Sequence, residues 1–422
     1  MRSALVRCAL VLCLVPLACI GETSDPAHDE VDPGLPPVLG EDLEPGDWTV
    51  PVPRGTKIID SAPVSNESRS TRGVELVKDL EIGEKNGDPQ ALFYKARDLA
   101  VDHRGWIYVA DMGNHRVQVF NSTGEYVRTI GREGQGPAEF SAALSVEIVG
   151  EHLVVSDPNL RRMNVWTLEG VHVRTYSVPS DIQYMFAVSD DALVVRYSLW
   201  YQGLGSHDVA YARFDLTGHE VLRYAILAAP EAAPTITRSS GGAVVRAVLP
   251  VGTPLPWATA SPRGHMYMTA GDEYQVLALT DLGEPRWALR AESARQPVEP
   301  SEIKLALELY RPPFTDAEIA GVTWPELQPA LSRGRMPGEP GHSLQIDGHG
   351  HLYVFPYISA PWVSDDRMRP VDVYSEDGDL LFFGLMPTCN WMAALGDHVY
   401  ALENDVETDN QVVVRYRLVE PF

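Results

Sequence analysis

A short turn pattern that recurs along the chain constrains the fold more than any other feature. It consists of a large apolar residue, three turn-forming residues and a glycine, and it occurs at Phe120–Gly124, Trp166–Gly170, Phe214–Gly218, Leu279–Gly283 and Tyr374–Gly378. Each copy separates two short runs in which apolar and polar residues alternate. Glycine at a fixed turn position supplies a positive φ at no steric cost, so each copy predicts a tight antiparallel hairpin.

A second hairpin lies upstream of each pattern, so the repeat has four strands. The upstream runs read VDHRGWIYV, IVGEHLVV, VSDDALVV, SPRGHMYM and IDGHGHLYV, and a sixth run, ALGDHVYALE, follows later in the sequence. The six copies begin near residues 96, 143, 182, 256, 342 and 390. Four-stranded sheets repeated around an axis are the blades of a propeller, so the sequence predicts an all-β, six-bladed β-propeller.

The sixth copy has only three strand-like runs. The run VELVKDLEIG, residues 74–83, precedes the first copy and has no partner there. A ring closed by a strand from its far terminus leaves no open sheet edge. We therefore predict that this N-terminal strand completes the last blade.

The first 18 residues have the pattern of an export signal. Arg2 and Arg7 precede an apolar run, residues 9–17, that is too short to span a membrane. The sequence LVPLAC resembles a bacterial lipobox, which implies lipidation at Cys19, although Pro16 stands where that pattern prefers an aliphatic residue. Plain secretory cleavage nearby is the alternative. The expected location is the bacterial cell envelope, facing the periplasm or the cell surface, with membrane contact only through the lipid.

Residues 19–72 are predicted to form an acidic, proline-rich tether. Residues 20–53 contain nine acids and no Lys or Arg. Such a composition buries too little apolar surface to offset the entropy of ordering, so a solvated segment is expected. The propeller is then assigned to residues 73–422, with a loop-like insertion at 228–255 and a second insertion at 293–341 that contains two short helical patterns. The insertions either line a site or elaborate the rim.

Composition limits the partners. The 422 residues carry a formal net charge of -24, so a phosphate backbone is repelled and nucleic acid is excluded as a partner. Cys389 is the only cysteine beyond the signal region, so no internal disulfide is expected. We expect a monomer whose ligand or protein partner the sequence does not identify.

The run LAVDHRGWIYVADMGNHRVQVFNSTGEYVRTIGREGQGPAEF resembles an NHL-type propeller repeat, and the chain is similar to bacterial six-bladed propeller lipoproteins. In such repeats an Asp at the end of the second strand and a following Asn and Arg fix the hairpin. The resemblance places these roles on Asp111, Asn114 and Arg116, and in the second blade on Asp157, Asn159 and either Arg161 or Arg162. These residues indicate the fold and do not by themselves indicate an activity.

The functional surface of a propeller is usually the mouth of its central channel, where the innermost strands begin. Counting back from each first hairpin gives one candidate ligand-binding residue per blade, within about one position. The candidates are Arg97, Asp98, Ser145, Tyr184, Pro256 or Trp257, His342, Asn390 and Trp391. Such a set suits a small anionic or sugar-like ligand, and it is equally able to plug the channel.

Catalytic and metal signatures are sparse. NHL-like zinc lyases use several converging His residues, and only His342 matches; His349 and His351 in DGHGHLYV are expected to be turn-exposed and weak ligands. Calcium-dependent lactonase propellers need several axial oxygens, for which Asp98 and Asn390 offer two without a third. No cofactor, metal site or catalytic residue is therefore predicted.

Three functions remain in competition. The leading interpretation is an exported, lipid-anchored propeller that binds a ligand or protein at the cell envelope. The first alternative is a metal-dependent enzyme of the lactonase or lyase type with its site at the channel mouth. The second is a structural part of an envelope complex, with a plugged channel.

Overall fold

The protein was analysed as a computed structural model. The structure describes residues 37–39, 42–61, 73–83, 89–178, 182–198, 209–227, 235–240, 243–248, 256–270, 273–291, 296–297, 332–333, 344–355, 368–387, 389, 391–404 and 410–420. The predicted signal peptide, Cys19, His342, Asn390 and the two helical patterns of the 293–341 insertion lie outside these residues.

Six sheets form the six blades, numbered in chain order. Blades 1, 2, 3 and 5 each consist of four consecutive antiparallel strands, and blades 4 and 6 each include one strand from the N-terminal segment. Two strands precede the repeats, β1 (Lys57–Ser61) and β2 (Glu75–Ile82). Blade 1 contains β3 (Ala96–Val101), β4 (Ile107–Asp111), β5 (Arg116–Phe120) and β6 (Tyr126–Ile130). Blade 2 contains β7 (Val146–Val149), β8 (His152–Asp157), β9 (Arg162–Thr167) and β10 (His172–Ser177). Blade 3 contains β11 (Ile182–Ser189), β12 (Ala192–Ser198), β13 (Val209–Asp215) and β14 (Glu220–Leu227).

The second half of the ring continues after a short hairpin. This hairpin, β15 (Thr235–Ser240) with β16 (Ala243–Val248), lies in the first insertion, which was predicted to be loop-like. Blade 4 contains β17 (Trp257–Ala260), β18 (Met266–Thr269), β19 (Gln275–Leu279) and β20 (Pro285–Ala291). In the second insertion β21 (Gln296–Pro297) pairs with β22 (Ser332–Arg333). Blade 5 contains β23 (Leu344–Ile346), β24 (Leu352–Val354), β25 (Met368–Tyr374) and β26 (Leu380–Pro387). Blade 6 contains β27 (Trp391–Leu395), β28 (His398–Asn404) and β29 (Gln411–Val419).

The N-terminal strand closes the ring as the sequence predicts. Strand β2 pairs antiparallel with β29, with Leu76 opposite Leu418, and becomes the outermost strand of blade 6. The closing strand therefore covers an edge that β29 would otherwise expose. The six-bladed propeller with a displaced strand is confirmed.

The five recurring turn glycines all have positive φ. Gly124, Gly170, Gly218, Gly283 and Gly378 have φ between 83° and 92°. Each donates its backbone N–H to the carbonyl oxygen of the residue three positions earlier. The turns between the third and fourth strands are therefore fixed locally, by glycine, as predicted.

Apolar side chains fill the space between neighbouring blades. Six buried clusters exist among the described residues, one at each interface around the ring. Between blades 1 and 2, for example, Tyr108 packs in the same cluster as Trp166. Every residue of the second strand of blade 1 is buried. Burying each large side chain contributes about 1.5–3 kcal/mol, which accounts for a stable ring without disulfides.

The hairpin residues assigned by the NHL resemblance form a buried polar cluster in blade 1. Asp111 is fully buried. One of its carboxylate oxygens accepts the backbone N–H of Tyr94 at 2.8 Å. The other accepts Asn114 Nδ2 at 2.9 Å and Arg116 Nε at 2.8 Å. These contacts hold the turn and leave the carboxylate fully occupied.

Blade 2 also buries an aspartate at this position, but its Asn and Arg contacts differ from those in blade 1. Asp157 is buried and accepts the backbone N–H groups of Ser141 and Ala142. Arg162 lies 4.0 Å from this carboxylate, whereas Arg161 forms the turn itself with a φ of 47°. Asn159 donates to the Ser141 hydroxyl.

The predicted solvated tether is wrong for residues 42–61. Val50 and Val52 are 1% exposed and belong to the cluster between blades 3 and 4. Strand β1 pairs in parallel with β20 and becomes a fifth strand of blade 4. The acidic composition of the segment favoured a solvated tether. Its few apolar residues are nevertheless buried, because they lie at the positions that face the core.

Residues 37–39 and 42–61 form a segment that we call the strap, which follows the outer edges of successive blades. Val38 donates its N–H to the carbonyl of Arg223 in blade 3, at 2.8 Å. Val74, just before β2, donates to Leu385 of blade 5 at 2.9 Å. The chain thus contacts the outer strands of blades 3, 4 and 5 before it completes blade 6, and it covers edges that would be free to pair with other chains.

Candidate functional site

The innermost strands β3, β7, β11, β17, β23 and β27 carry the candidate channel residues. The six blades place these strands side by side around the axis, with their first residues at the same end of the ring. Polar side chains from several of them contact the inner strand of the next blade. The candidate site is therefore also the place where neighbouring blades are joined.

Asp98 of β3 connects blade 1 to blade 2. Its carboxylate accepts the Ser145 hydroxyl at 2.6 Å and the backbone N–H of Val146 at 3.1 Å. It also accepts the backbone N–H of Leu99 at 2.9 Å. Burial raises the pKa of Asp98 to about 7, although these hydrogen bonds act in the opposite direction.

Glu147 of β7 is a second carboxylate of this region, and it is not among the candidates that the sequence predicts. Burial among protein atoms, and then repulsion from Asp98, raise its pKa to about 8. The backbone N–H groups of Ala187 in blade 3 and of Ile148 act against this rise. Within the described part of the chain, no basic side chain contributes to the pKa of either carboxylate. The pKa values of two carboxylates on adjacent blades are therefore raised into the neutral range.

Arg97 lies at an irregularity in the first inner strand. The pairing of β3 with β4 shifts between Ala96 and Asp98, so Arg97 is the bulged residue. Its side chain is partly buried. A bulge changes the direction of a side chain and is common beside binding sites. The inner strands of blades 3 and 6 shift in the same way near their starts, between residues 182 and 184 and between residues 391 and 393.

The two aromatic candidates of blades 3 and 4 stack against each other. The ring centroids of Tyr184 and Trp257 are 4.7 Å apart at an interplanar angle of 36°. Trp257 also donates its indole N–H to the carbonyl of Leu344 in blade 5, at 3.2 Å. Both rings are partly buried, so the stack joins three blades and retains an accessible surface.

Trp391 lies deeper than its predicted position suggests. It is 1% exposed and packs edge-on against Tyr353, with ring centroids 5.1 Å apart. Its carbonyl accepts the side-chain amide of Gln345 from blade 5 at 3.0 Å. The pairing of β27 with β28 shifts register between residues 391 and 393, next to this tryptophan.

A separate polar cluster lies on the rim, at the hairpin between β23 and β24. Asp347 fixes the turn, because its Oδ1 accepts the backbone N–H groups of His349 at 2.9 Å and His351 at 2.8 Å. Its Oδ2 lies 2.8 Å from His351 Nδ1, and Glu420 Oε1 lies 3.4 Å from the same nitrogen. Tyr353 donates its hydroxyl to Glu420. Hydrogen bonds to the two carboxylates raise the pKa of His351 to about 10.

The two histidines of this hairpin occupy different environments. His349 is half exposed and its Nε2 lies 2.7 Å from Asp397 of blade 6. The side chain of His351 is 27% exposed and turns inward, contrary to the expectation that both imidazoles would be turn-exposed. The next blade approaches closely here, since a Cβ on Gly348 would lie 2.1 Å from the backbone nitrogen of Gly396.

The comparisons with known proteins support the fold. A family described as "6-bladed beta-propeller" matches residues 97–210. No curated protein matches the sequence. No helix among the described residues has the length and apolar character needed to cross a bilayer.

Several solved structures have a similar arrangement at low sequence identity. A candidate exported protein from Bacteroides fragilis is 11% identical, with 86% of this chain and 100% of that chain covered and a TM-score of 0.48. A member of the DUF4221 family from Bacteroides vulgatus is 13% identical, with 83% and 100% covered and a TM-score of 0.49. Virginiamycin B lyase from Staphylococcus aureus is 9% identical, with 82% and 100% covered and a TM-score of 0.41. Scores at this level carry no argument about activity.

Proposed function

We propose that the protein is an exported, lipid-anchored propeller of the NHL type that binds a small ligand or a protein at the mouth of its central channel, at the cell envelope. The observation that carries the proposal is the set of bulges near the starts of the inner strands in blades 1, 3 and 6. Regular pairing would suffice to close a ring. Bulges at the same end of three inner strands are typical of a surface shaped for a ligand.

The chemistry at this end suits a small anionic, sugar-like ligand. Arg97 supplies a cation with a planar set of donors, and the stack of Tyr184 and Trp257 supplies an apolar face for a sugar ring. Residues His342 and Asn390 are further candidates for the same surface. The raised pKa values of Asp98 and Glu147 lower the negative charge of this pair near neutral pH, which reduces their repulsion of an anion.

The binding proposal can be tested with galacturonate as the probe. Calorimetric titration of the purified chain is expected to show binding that Arg97→Ala abolishes and that Arg132→Ala leaves unchanged. Arg132 is the matched control because its side chain is 80% exposed and pairs with Glu139 on the rim. Binding that survives Arg97→Ala would refute the assignment of the site.

Export and lipidation are supported by the apolar run at residues 9–17 and by Cys19. In a bacterial host, the wild-type chain is expected to fractionate with membranes and to incorporate labelled fatty acid. Cys19→Ser is expected to release it into the soluble fraction. Equal fractionation of the two chains would contradict the anchor.

One observation favours the alternative of a lactonase or lyase. Asp98 and Glu147 come from adjacent blades and both have a raised pKa, as groups that exchange protons in catalysis often do. An enzyme of this kind would hydrolyse a simple lactone in the presence of calcium and would lose that activity on Glu147→Gln. A chain without such activity leaves the binding proposal in place.

A further inference from the structure

The rim cluster of blade 5 differs in charge from the same hairpin in blade 1. Asp102 and Asp347 occupy equivalent positions, because each is the first residue of the hairpin loop after the innermost strand. The strand residue before each aspartate pairs with the first residue of the second strand. Both accept two backbone N–H groups through Oδ1. Both hairpins also continue to a tyrosine six residues later, Tyr108 in blade 1 and Tyr353 in blade 5.

In blade 1 a guanidinium occupies the free side of the carboxylate. Arg104 donates to Asp102 Oδ2 through Nε at 2.8 Å and Nη2 at 2.6 Å. Tyr108 donates its hydroxyl to the same oxygen at 3.1 Å. The hairpin is thereby neutral, with one carboxylate and one cation.

Among the residues that the structure describes, no guanidinium takes this place in blade 5. The residue equivalent to Arg104 is His349, which contacts Asp397 instead. The space beside Asp347 is filled by His351 and by Glu420, which follows β29 of blade 6. Two carboxylates thus face one imidazole, and even when the imidazole is protonated these three groups carry one excess negative charge.

We propose that Asp347, His351 and Glu420 bind a divalent transition metal ion, for which zinc is the best fit. The three donor atoms lie within 4.8 Å of one another. Ligands of a tetrahedral zinc ion, at about 2.0–2.2 Å from the metal, lie roughly 3.3 Å apart. His351 Nδ1 lies 2.8 Å from Asp347 Oδ2 and 3.4 Å from Glu420 Oε1, so both of these spacings are close to that value. The ion takes the place that the guanidinium occupies in blade 1 and neutralises the two carboxylates.

The surroundings of the donors are those of a prepared site. Two backbone N–H groups hold Asp347 so that Oδ2 points at the metal position. The hydroxyl of Tyr353 holds Glu420. Outer contacts of this kind orient metal ligands. The solvent-accessible side of His351 leaves room for a water as the fourth ligand. A nitrogen donor and only two carboxylates favour zinc over calcium, which requires six to eight oxygens.

The inferred role is structural and independent of ligand binding in the channel. Glu420 belongs to the segment after the last strand of blade 6, whereas Asp347 and His351 belong to blade 5. The metal therefore joins the closing blade to its neighbour. A structural zinc ion stabilises a fold directly through its binding free energy.

The test is zinc titration of the full chain, purified without an affinity tag, stripped with chelator and then dialysed. One equivalent of Zn²⁺ is expected to bind and to raise the thermal unfolding temperature, whereas Ca²⁺ is expected to do neither. Co²⁺ is expected to give the strong visible absorption of a four-coordinate site. Loss of a residue that only orients a metal ligand weakens metal affinity roughly 10–100-fold. The Zn²⁺ affinities of His351→Gln and Glu420→Gln are expected to fall by more than this, because each variant loses a ligand itself.

His349→Gln is the matched control, since it removes an imidazole from the same hairpin that contacts Asp397 instead. It is expected to bind Zn²⁺ as tightly as the wild type. Circular dichroism of the zinc-free variants distinguishes the loss of a ligand from the loss of the fold, and Glu420→Gln is the milder of the two changes. Absence of zinc binding by the wild type, or equal binding by all three variants, would overturn the proposal.

Discussion

At the scale of single residues, buried carboxylates connect the blades of this ring. Asp98 accepts groups of blade 2, and Glu147 accepts a backbone N–H of blade 3. Each carboxylate satisfies donors that would otherwise be buried without a partner. The cost of burying the charge appears as a raised pKa, and both groups remain protonated at a pH where ordinary carboxyls are ionised.

The raised pKa of Glu147 predicts a pH dependence of stability. In the unfolded chain this carboxyl ionises near its ordinary value of 4.5, and in the folded chain it ionises at about 8. Between these values the folded state holds the extra proton, so the free energy of unfolding falls as the pH rises. Because the side chain is partly exposed, solvent reduces the effect, and we expect a loss of about 1–3 kcal/mol between pH 5 and 9.

Glu147→Gln removes this titration and is expected to flatten the dependence of the unfolding temperature on pH. The unfolding temperature of this variant should exceed that of the wild type by an amount that grows as the pH rises from 5 to 9. Glu151→Gln, at an exposed glutamate in the adjacent hairpin, is the control and should follow the wild-type curve. If Glu147→Gln follows that curve as well, the carboxyl does not titrate as inferred.

At the scale of elements, the strap shows how a polar segment can become part of a propeller. Gln275 of β19 accepts the backbone N–H of Thr49 at 2.7 Å and the Thr49 hydroxyl at 3.0 Å. It donates its side-chain N–H to the carbonyl of Asp47 at 2.7 Å. A single buried amide thus anchors the strap beside the point where Val50 enters the core.

Gln275→Ala is expected to loosen the strap without unfolding the ring. Three hydrogen-bonding groups lose their partner in a partly buried place, which predicts a loss of about 1–3 kcal/mol in the free energy of unfolding. Urea denaturation measures this loss, and limited proteolysis is expected to cleave the strap faster. The control is Arg54→Ala, which removes an exposed ion pair with Asp42 and should lower the free energy of unfolding much less than Gln275→Ala does. Equal losses in the two variants would contradict the anchoring role.

The turns could be predicted from the sequence because they are set locally, whereas the strap is set by pairing with distant residues. Gly124 sets its turn through its own φ, so a local pattern was sufficient to place it. Strand β1 instead pairs with β20, with Lys57 opposite Trp287 far along the chain, and no local pattern encodes that pairing. The sequence signals for the strap were the valines of TVPV and the isoleucines of KIID, which the surrounding acids and prolines obscured.

The candidate site also depends on features that local sequence patterns do not encode. Counting residues from the first hairpins selected Asp98 and Trp391 but not Glu147, and Trp391 is 1% exposed in the structure. The spacing varies because the first hairpin of blade 2 is shorter than that of blade 1 and because bulges shift the register in blades 1, 3 and 6. The rim cluster was missed for another reason. Glu420 reaches Asp347 only through the packing of two blades.

At the scale of the whole molecule, the ring depends on the pairing of its most distant strands. Strand β2 shields the edge of β29. Ile82, at its end, is buried in the cluster between blades 6 and 1. Val74, just before it, is buried in the cluster between blades 5 and 6. The same strand therefore contributes to a sheet and to two blade interfaces, so its removal affects closure more than the removal of an ordinary edge strand.

Two truncations separate the contribution of ring closure from that of the strap. A chain of residues 62–422 lacks the strap and keeps β2, and we expect it to be a monomer that unfolds cooperatively at a lower temperature than the full chain. A chain of residues 84–422 also lacks β2, which exposes the edge of β29 and two apolar clusters, so we expect it to aggregate. Size-exclusion chromatography and thermal unfolding distinguish the two. If residues 84–422 remain monomeric and unfold as cooperatively as residues 62–422, the closing strand is dispensable and the stability of the ring lies in the blade interfaces alone.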